Sequence, residues 1–200
     1  MMTPMNPLVQ VVSSRKLLLA SNSPRRKELL KGLGVDFEVV VLPDIDESFP
    51  AELHQDEVAL FVAQKKAEAY NAMLTEDTIL ITADTIVCCE DEIFGKPESS
   101  EDAFQMLKRL SGRAHKVITG VVLTSPTKQV AFSVSTDVEF DNLTDEEINY
   151  YIHTFQPADK AGAYGIQEWI GYVGIKSIKG SYFNVVGLPI QRLYKELSLF

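Results

Sequence analysis

The chain has 200 residues, of which 46% are hydrophobic and 24% are charged, a balance typical of a globular domain and not of a disordered or fibrous protein. Its formal net charge of -9, from 19 basic and 28 acidic residues, disfavours a partner that is a nucleic acid polymer. No apolar run is long enough to span a membrane, and the adjacent Cys88 and Cys89 cannot readily pair with each other, so we expect a cytoplasmic protein with reduced thiols and no membrane partner.

Strands and helices alternate along the first half of the chain. Residues 1–15 contain Pro4 and Pro7 and are predicted to form a loose tail before a single domain over residues 16–200. Ser23 and Pro24 are typical of a helix start, because serine caps the free N–H groups and proline suits the first helical position. In chain order the pattern predicts a strand, a helix, a strand, a helix and a strand over residues 17–20, 24–33, 37–42, 57–74 and 78–88.

The second half is predicted to hold a helix, the two strands of a hairpin, and two further helices. These elements cover residues 100–110, 116–123, 129–138, 144–155 and 189–199. Residues 161–187 are rich in glycine and have no clear period, so no element is predicted there. Alternating strands and helices indicate an α/β class, and the hairpin indicates a mixed sheet.

Small hydroxyl side chains and two arginines lie where the first strand meets the first helix. Ser21 and Ser23 precede the helix, while Arg25 and Arg26 lie in its first turn. The positive end of the helix dipole disfavours cations at that position, so a bound phosphate would explain them. A capped helix with surface arginines is an equally good interpretation of the local sequence.

A carboxylate inside the most apolar strand is the second candidate. Aspartate is disfavoured in strands, yet Asp84 lies within residues 78–88, which are dense in isoleucine, valine and threonine. Such a side chain must be paired, bind a metal or face a cleft, and this functional interpretation is favoured over a cap for a neighbouring loop.

Three further segments are weaker candidates. Pro97 holds Lys96 extended, where it could reach a phosphate, although a solvated loop lysine is the simpler interpretation. The acidic residues before Lys66, Glu47 among them, could hold a hard cation or simply be solvated. Residues 160–167 could read the edge of a base through Gln167, or form only a tight crossing of the chain.

These segments, in this order, resemble the Maf family of nucleotide pyrophosphatases. The resemblance covers nearly the whole chain, and its motifs are specific only in combination. They lie at residues 19–26, 83–87, 95–97, 160–167 and 180–189.

Within the family, the segment ending in Gln167 is similar to the branch that cleaves dTTP and UTP to the monophosphate and pyrophosphate. The resemblance implies a mixed twisted sheet with flanking helices, and two lobes around a deep cleft, as in inosine triphosphate pyrophosphatase. It also implies a divalent cofactor, Mg²⁺ or Mn²⁺, and frequent homodimers. Two alternatives stay open: the sister branch that acts on 7-methyl-GTP and carries Glu at position 167, and a nucleotide-sensing regulator of cell division.

Residue roles follow from the same resemblance. Asp84 matches the proton acceptor, and with Glu47 it is expected to hold the metal. Three positions are tied to substrate choice, namely Arg25, Thr85 and Gln167. The other polar residues expected in the cleft are Ser21, Arg26, Lys66 and Lys96.

Overall fold

The computed structural model describes residues 6–200, which divide into two compact units. The first unit contains the described part of Met1–Asp84 together with Thr119–Ser133 and Gly187–Phe200. The second unit contains Thr85–Ile118 and Val134–Val186. The assignment of residues 16–200 to a single domain stays a prediction.

The strands, in chain order, are β1 Lys16–Leu19, β2 Glu38–Val39, β3 Thr78–Cys89, β4 Glu92–Phe94, β5 Ala114–Thr124, β6 Gln129–Phe140 and β7 Ile175–Lys179. The α-helices are α1 Pro7–Val12, α2 Pro24–Lys31, α3 Gln55–Ala69, α4 Ser100–Leu110, α5 Asp145–Phe155, α6 Trp169–Gly174, α7 Tyr182–Val186 and α8 Ile190–Ser198. Short 3₁₀ helices cover Asn71–Met73 and Ala161–Ala163.

The strands form a mixed sheet. Within residues 6–200 it has seven strands in the order β2-β1-β3-β5-β6-β7, with β4 paired to β3. Strand β1 runs parallel to both β2 and β3, whereas β4 is antiparallel to β3 and β7 is antiparallel to β6. The predicted mixed α/β class is therefore confirmed.

Local signals fix the helix starts. Ser23 caps α2 by accepting from the Arg26 N–H, and Thr144 and Glu147 form the capping box of α5.

In the first unit, α3 lies very close to β5, because a Cβ at Gly120 would come within 2.5 Å of the Ala59 backbone. The glycine is therefore required for this packing of helix on strand.

Each unit has its own apolar core. In the first unit, Leu19 of β1, Val58 of α3 and Ile81 of β3 are fully buried. In the second, one cluster joins β3 to β6, α4 and α5, with Phe140 and Tyr151 among its largest buried side chains. In the part of the chain that the structure describes, no helix is both long and apolar enough to cross a membrane.

The predicted loose tail is wrong for residues 6–15. Pro7–Val12 form α1, which begins at the Asn6 cap and buries Leu8 completely. The Asn6 side chain also donates to the Leu33 carbonyl at 2.7 Å, so a hydrogen bond and an apolar contact hold this segment. Residues 1–5, the rest of the predicted tail, lie outside the described residues.

Other differences are in element length and in the glycine-rich region. The strand predicted over residues 37–42 is reduced to β2, and the long helix starts at Gln55 and ends at Ala69. Residues 161–187 contain α6, β7 and α7, which are too short for a periodic signal to build up in the sequence.

Candidate active site

Arg26 is fixed by two backbone carbonyls of the first unit. Its Nε donates to the Gly187 oxygen and its Nη1 to the Ala83 oxygen, both at 2.8 Å. Burial lowers the pKa of Arg26, and Arg25 adds to this, while Asp84 and Glu47 act in the opposite direction. The guanidinium stays charged at neutral pH and supplies a fixed positive charge close to both carboxylates.

Lys66 joins two carboxylates from distant parts of the sequence. Its Nζ lies 2.8 Å from Asp84 Oδ1 and 3.0 Å from Glu47 Oε1. The side chains of Lys66 and Asp84 are 12% and 16% exposed, whereas that of Glu47 is 49% exposed. Lys66 therefore orients the Asp84 carboxylate within a mostly buried ion pair. Glu47 binds the same ammonium group and is the more exposed of the two carboxylates.

The acidic loop is held to α3 by successive lysines. Lys65 Nζ bonds Asp46 Oδ2 at 2.7 Å and the Ser48 carbonyl at 2.8 Å. Hydrogen bonds from Lys65 and then Ser48 lower the pKa of Asp46, so this carboxylate stays ionised. Because Asp46 is engaged by Lys65, Glu47 is the loop carboxylate that reaches Lys66.

The turn before α2 has the geometry expected of a helix cap. Ser21 is buried and its Oγ accepts from the Ser23 N–H at 3.2 Å. The first turn of α2 therefore presents backbone N–H groups next to Arg25 and Arg26, an arrangement that suits an anion.

Glu47 and Asp84, which both contact Lys66, are the carboxylates that could hold a metal. No group of three or more His, Cys, Asp or Glu side chains suited to a metal occurs among residues 6–200. Mg²⁺ is commonly bound by one or two carboxylates, with substrate phosphates and water completing its shell. Two carboxylates that converge on one ammonium ion fit a cation of this kind, which the substrate would help to hold.

The second unit contains Thr85, Lys96 and Gln167. Lys96 is exposed, and it makes no hydrogen bond or ion pair with the described residues. Its loop is tied to the Gln167 segment, since the Gly162 N–H donates to the Gly95 carbonyl at 3.0 Å. The Oε1 atom of Gln167 is buried and has no hydrogen-bond partner among the described residues.

A polar network braces the segment that carries Gln167. The Gly165 N–H donates to the Tyr151 hydroxyl at 2.9 Å, and that hydroxyl donates to Glu168 Oε2. Glu168 Oε1 lies 3.1 Å from the ammonium group of Lys160, which is 7% exposed. Neither Tyr151 nor Glu168 was predicted as a site residue, although an ionisable residue directly after Gln167, in a segment rich in small residues, was a usable signal.

The structure brings some of the predicted residues together. In the first unit, one cluster contains Arg26, Glu47, Lys66 and Asp84. In the second, the Lys96 loop and the Gln167 segment are bonded neighbours. Thr85 directly follows Asp84 on β3, so the chain passes from one unit to the other inside this motif.

Comparisons with known proteins agree on the family. Residues 16–200 match the family model described as Maf-like protein. A dTTP/UTP pyrophosphatase of Bacteroides thetaiotaomicron is 56% identical over 183 residues, which are 92% of this chain and 95% of that protein. The same name is carried by a Phocaeicola vulgatus protein, 54% identical over 96% of this chain and 99% of its own length.

A solved structure of a HAM1 protein from Coxiella burnetii covers 93% of this chain and 100% of its own, with 14% identity and a TM-score of 0.48. The family model and the relatives extend over nearly the whole chain. The chain therefore belongs to the Maf-like protein family.

Proposed function

We propose that this chain hydrolyses dTTP and UTP to the nucleoside monophosphate and pyrophosphate. The relatives that share more than half of its residues are named for this activity. In the structure, the observation that carries the chemistry is the Lys66 ammonium group held between Asp84 and Glu47, with Arg26 fixed close by. A carboxylate oriented by a cation is suited to activating water beside a polyphosphate.

Asp84 is the proposed general base. Its Oδ1 accepts from Lys66, which leaves Oδ2 to orient a water and accept its proton. The water oxygen bonds to the α-phosphorus while the bond from that phosphorus to the bridging oxygen breaks, and pyrophosphate leaves with the electron pair. A positioned base contributes about 10²–10⁴-fold to such a step.

Basic groups bind the phosphates in this scheme. Arg25, Arg26 and the first turn of α2 supply charge and N–H donors from the first unit, and Lys66 lies next to the base. In the second unit, the exposed ammonium group of Lys96 is suited to a phosphate, and Thr85 follows Asp84 on β3. Ser21 stabilises the turn before α2, because its Oγ accepts a hydrogen bond from the Ser23 N–H.

Glu47 and Asp84 would hold the divalent cation, Mg²⁺ or Mn²⁺. When bound, such a cation neutralises charge that develops on the phosphate oxygens. Its two positive charges would add to that of Lys66, and the two carboxylates and the substrate phosphates would together offset them.

Gln167 is proposed to read the base. Its buried Oε1 is an acceptor that the described residues leave unpaired, and such an atom costs free energy until a donor reaches it. Uracil and thymine carry an imide N–H between two carbonyls, so a glutamine amide can accept from the N–H and donate to a carbonyl.

A screen of nucleoside triphosphates with Mg²⁺ tests the function directly. We expect UTP and dTTP to be the best substrates and pyrophosphate to be the product detected. A preference for 7-methyl-GTP would favour the sister branch, and nucleotide binding without turnover would favour the regulator. A cytoplasmic location stays part of this proposal, and Cys88 and Cys89 are both buried.

A further inference from the structure

We propose that Tyr151 and Glu168 are positioning residues for base recognition: they fix a tight turn so that Gln167 holds its amide ready for the pyrimidine ring. This inference rests on the base reading proposed above for Gln167. Neither residue is expected to touch the reacting phosphorus, so both act through Gln167.

A backbone hydrogen bond closes the turn, and the Tyr151 hydroxyl bonds to both of its end residues, Gly165 and Glu168. The Glu168 N–H donates to the Gly165 carbonyl at 3.0 Å, which makes Gln167 a central residue of a four-residue turn. The Tyr151 hydroxyl accepts from the Gly165 N–H and donates to the Glu168 carboxylate. One phenol oxygen therefore connects the first and the last residue of the turn.

Gly165 provides the space that this arrangement needs. A Cβ at that position would lie 3.0 Å from Gln167 Nε2 and 2.9 Å from the Glu168 carboxyl carbon. Both side chains therefore pack over the Gly165 backbone. The Gln167 amide is held on one side by this contact, while its Oε1 stays buried and without a partner among the described residues.

Burial makes the network rigid. Tyr151 is 0% exposed on α5, and its hydroxyl reaches the turn from within the apolar core of the second unit. Burial, and next the bond with Glu168, raise the pKa of Tyr151, so the phenol remains a donor at every working pH. Lys160 neutralises the Glu168 carboxylate and is also paired with Asp159 at 2.8 Å, so a neutral residue at 168 would not leave it unpaired.

Loss of this network should weaken nucleotide binding, because the turn would then populate other conformations in which Gln167 is not correctly oriented. If the productive orientation of Gln167 falls to a tenth of the population, the dissociation constant rises about tenfold. Pyrophosphate lacks a base, so its binding is expected to be unaffected.

The experiment measures dissociation constants of UMP and of pyrophosphate by calorimetry for the full chain and for Tyr151→Phe, Glu168→Gln and Glu168→Ala. We expect Tyr151→Phe and Glu168→Ala to weaken UMP binding about tenfold and to leave pyrophosphate binding unchanged. Glu168→Gln keeps an acceptor for the phenol and should fall between wild type and Glu168→Ala.

Ile148→Val is the matched control. Ile148 is fully buried on the same helix, and loss of one methylene there lowers stability without removing a hydrogen bond of the turn. Its UMP affinity should equal that of wild type, which separates positioning from a general loss of stability.

The inference is overturned by unchanged UMP affinity in Tyr151→Phe and Glu168→Ala, by equal weakening of UMP and pyrophosphate binding, or by the same loss of UMP affinity in Ile148→Val. If Tyr151→Phe does not fold, the two Glu168 variants decide. Wild-type turnover of UTP and dTTP is assayed separately, so binding of UMP without turnover refutes the proposed function and still tests the positioning. Absence of UMP binding by wild type would overturn both.

Discussion

Replacing Asp84 with asparagine removes a basic oxygen and keeps the shape of the side chain. If the carboxylate accepts the proton of the attacking water, kcat for UTP should fall by at least about two orders of magnitude, which equals about 2.7 kcal/mol in the activation free energy. The KM for UTP should change less than kcat, because the basic side chains and Gln167 are unaltered and Glu47 remains to hold the divalent cation.

The same substitution should cost little stability. Lys66 loses a charged partner at 2.8 Å but keeps Glu47 at 3.0 Å, and the asparagine carbonyl can still accept a hydrogen bond. We therefore expect a loss of about 0.5–1.5 kcal/mol in unfolding free energy, well below the cost of leaving a buried charge alone. For a chain of this size that is a fall of roughly 1–6 °C in Tm.

Steady-state kinetics with pyrophosphate detection and a thermal melt measure both effects. Asp145→Asn is the control, since it removes a carboxylate bonded to Lys108 on an exposed surface of the second unit. Its activity should match wild type. Turnover of Asp84→Asn within a few-fold of the control would refute the role of Asp84 as the base.

Three further predictions concern the divalent cation, recognition of the nucleobase, and pH. Chelation with EDTA should abolish UTP hydrolysis, and either Mg²⁺ or Mn²⁺ should restore it; activity that persists in excess EDTA would contradict the role given to Glu47 and Asp84. Gln167→Glu should lower kcat/KM for UTP and dTTP more than for 7-methyl-GTP, because an ionised carboxylate cannot donate to a pyrimidine carbonyl; an equal change for all three would make Gln167 structural. Burial lowers the pKa of His115 from 6.5 to about 4, so the unfolded chain takes up a proton that the folded chain excludes. The contribution of His115 to the free energy of unfolding is complete above about pH 6.5 and falls by about 1.4 kcal/mol per pH unit as the pH decreases toward 4. The variant His115→Gln should lack this slope in denaturant titrations. An unchanged slope in that variant would show that other groups cause it.

Local signals in the sequence predicted most of the helices correctly. Helix α4 lies where it was predicted, and the Thr144 capping box of α5 is present, because caps and helical periodicity depend on residues only a few positions apart. The glycine-rich region gave no such signal, since α6, β7 and α7 are short and depend on the packing of neighbouring segments.

The sequence by itself determined which side chains could do chemistry: an aspartate in an apolar strand, arginines at a helix start, and a glutamine in a run of small residues. Only the tertiary structure decided their partners. Lys66 meets Asp84 and Glu47, and Arg26 bonds the Gly187 carbonyl, 161 positions away in the sequence. The Tyr151 hydroxyl likewise connects two ends of a turn on another segment. The physical reason is that periodicity and caps report hydrogen bonds within one element, whereas contacts between distant residues form only when the apolar faces of several elements pack together.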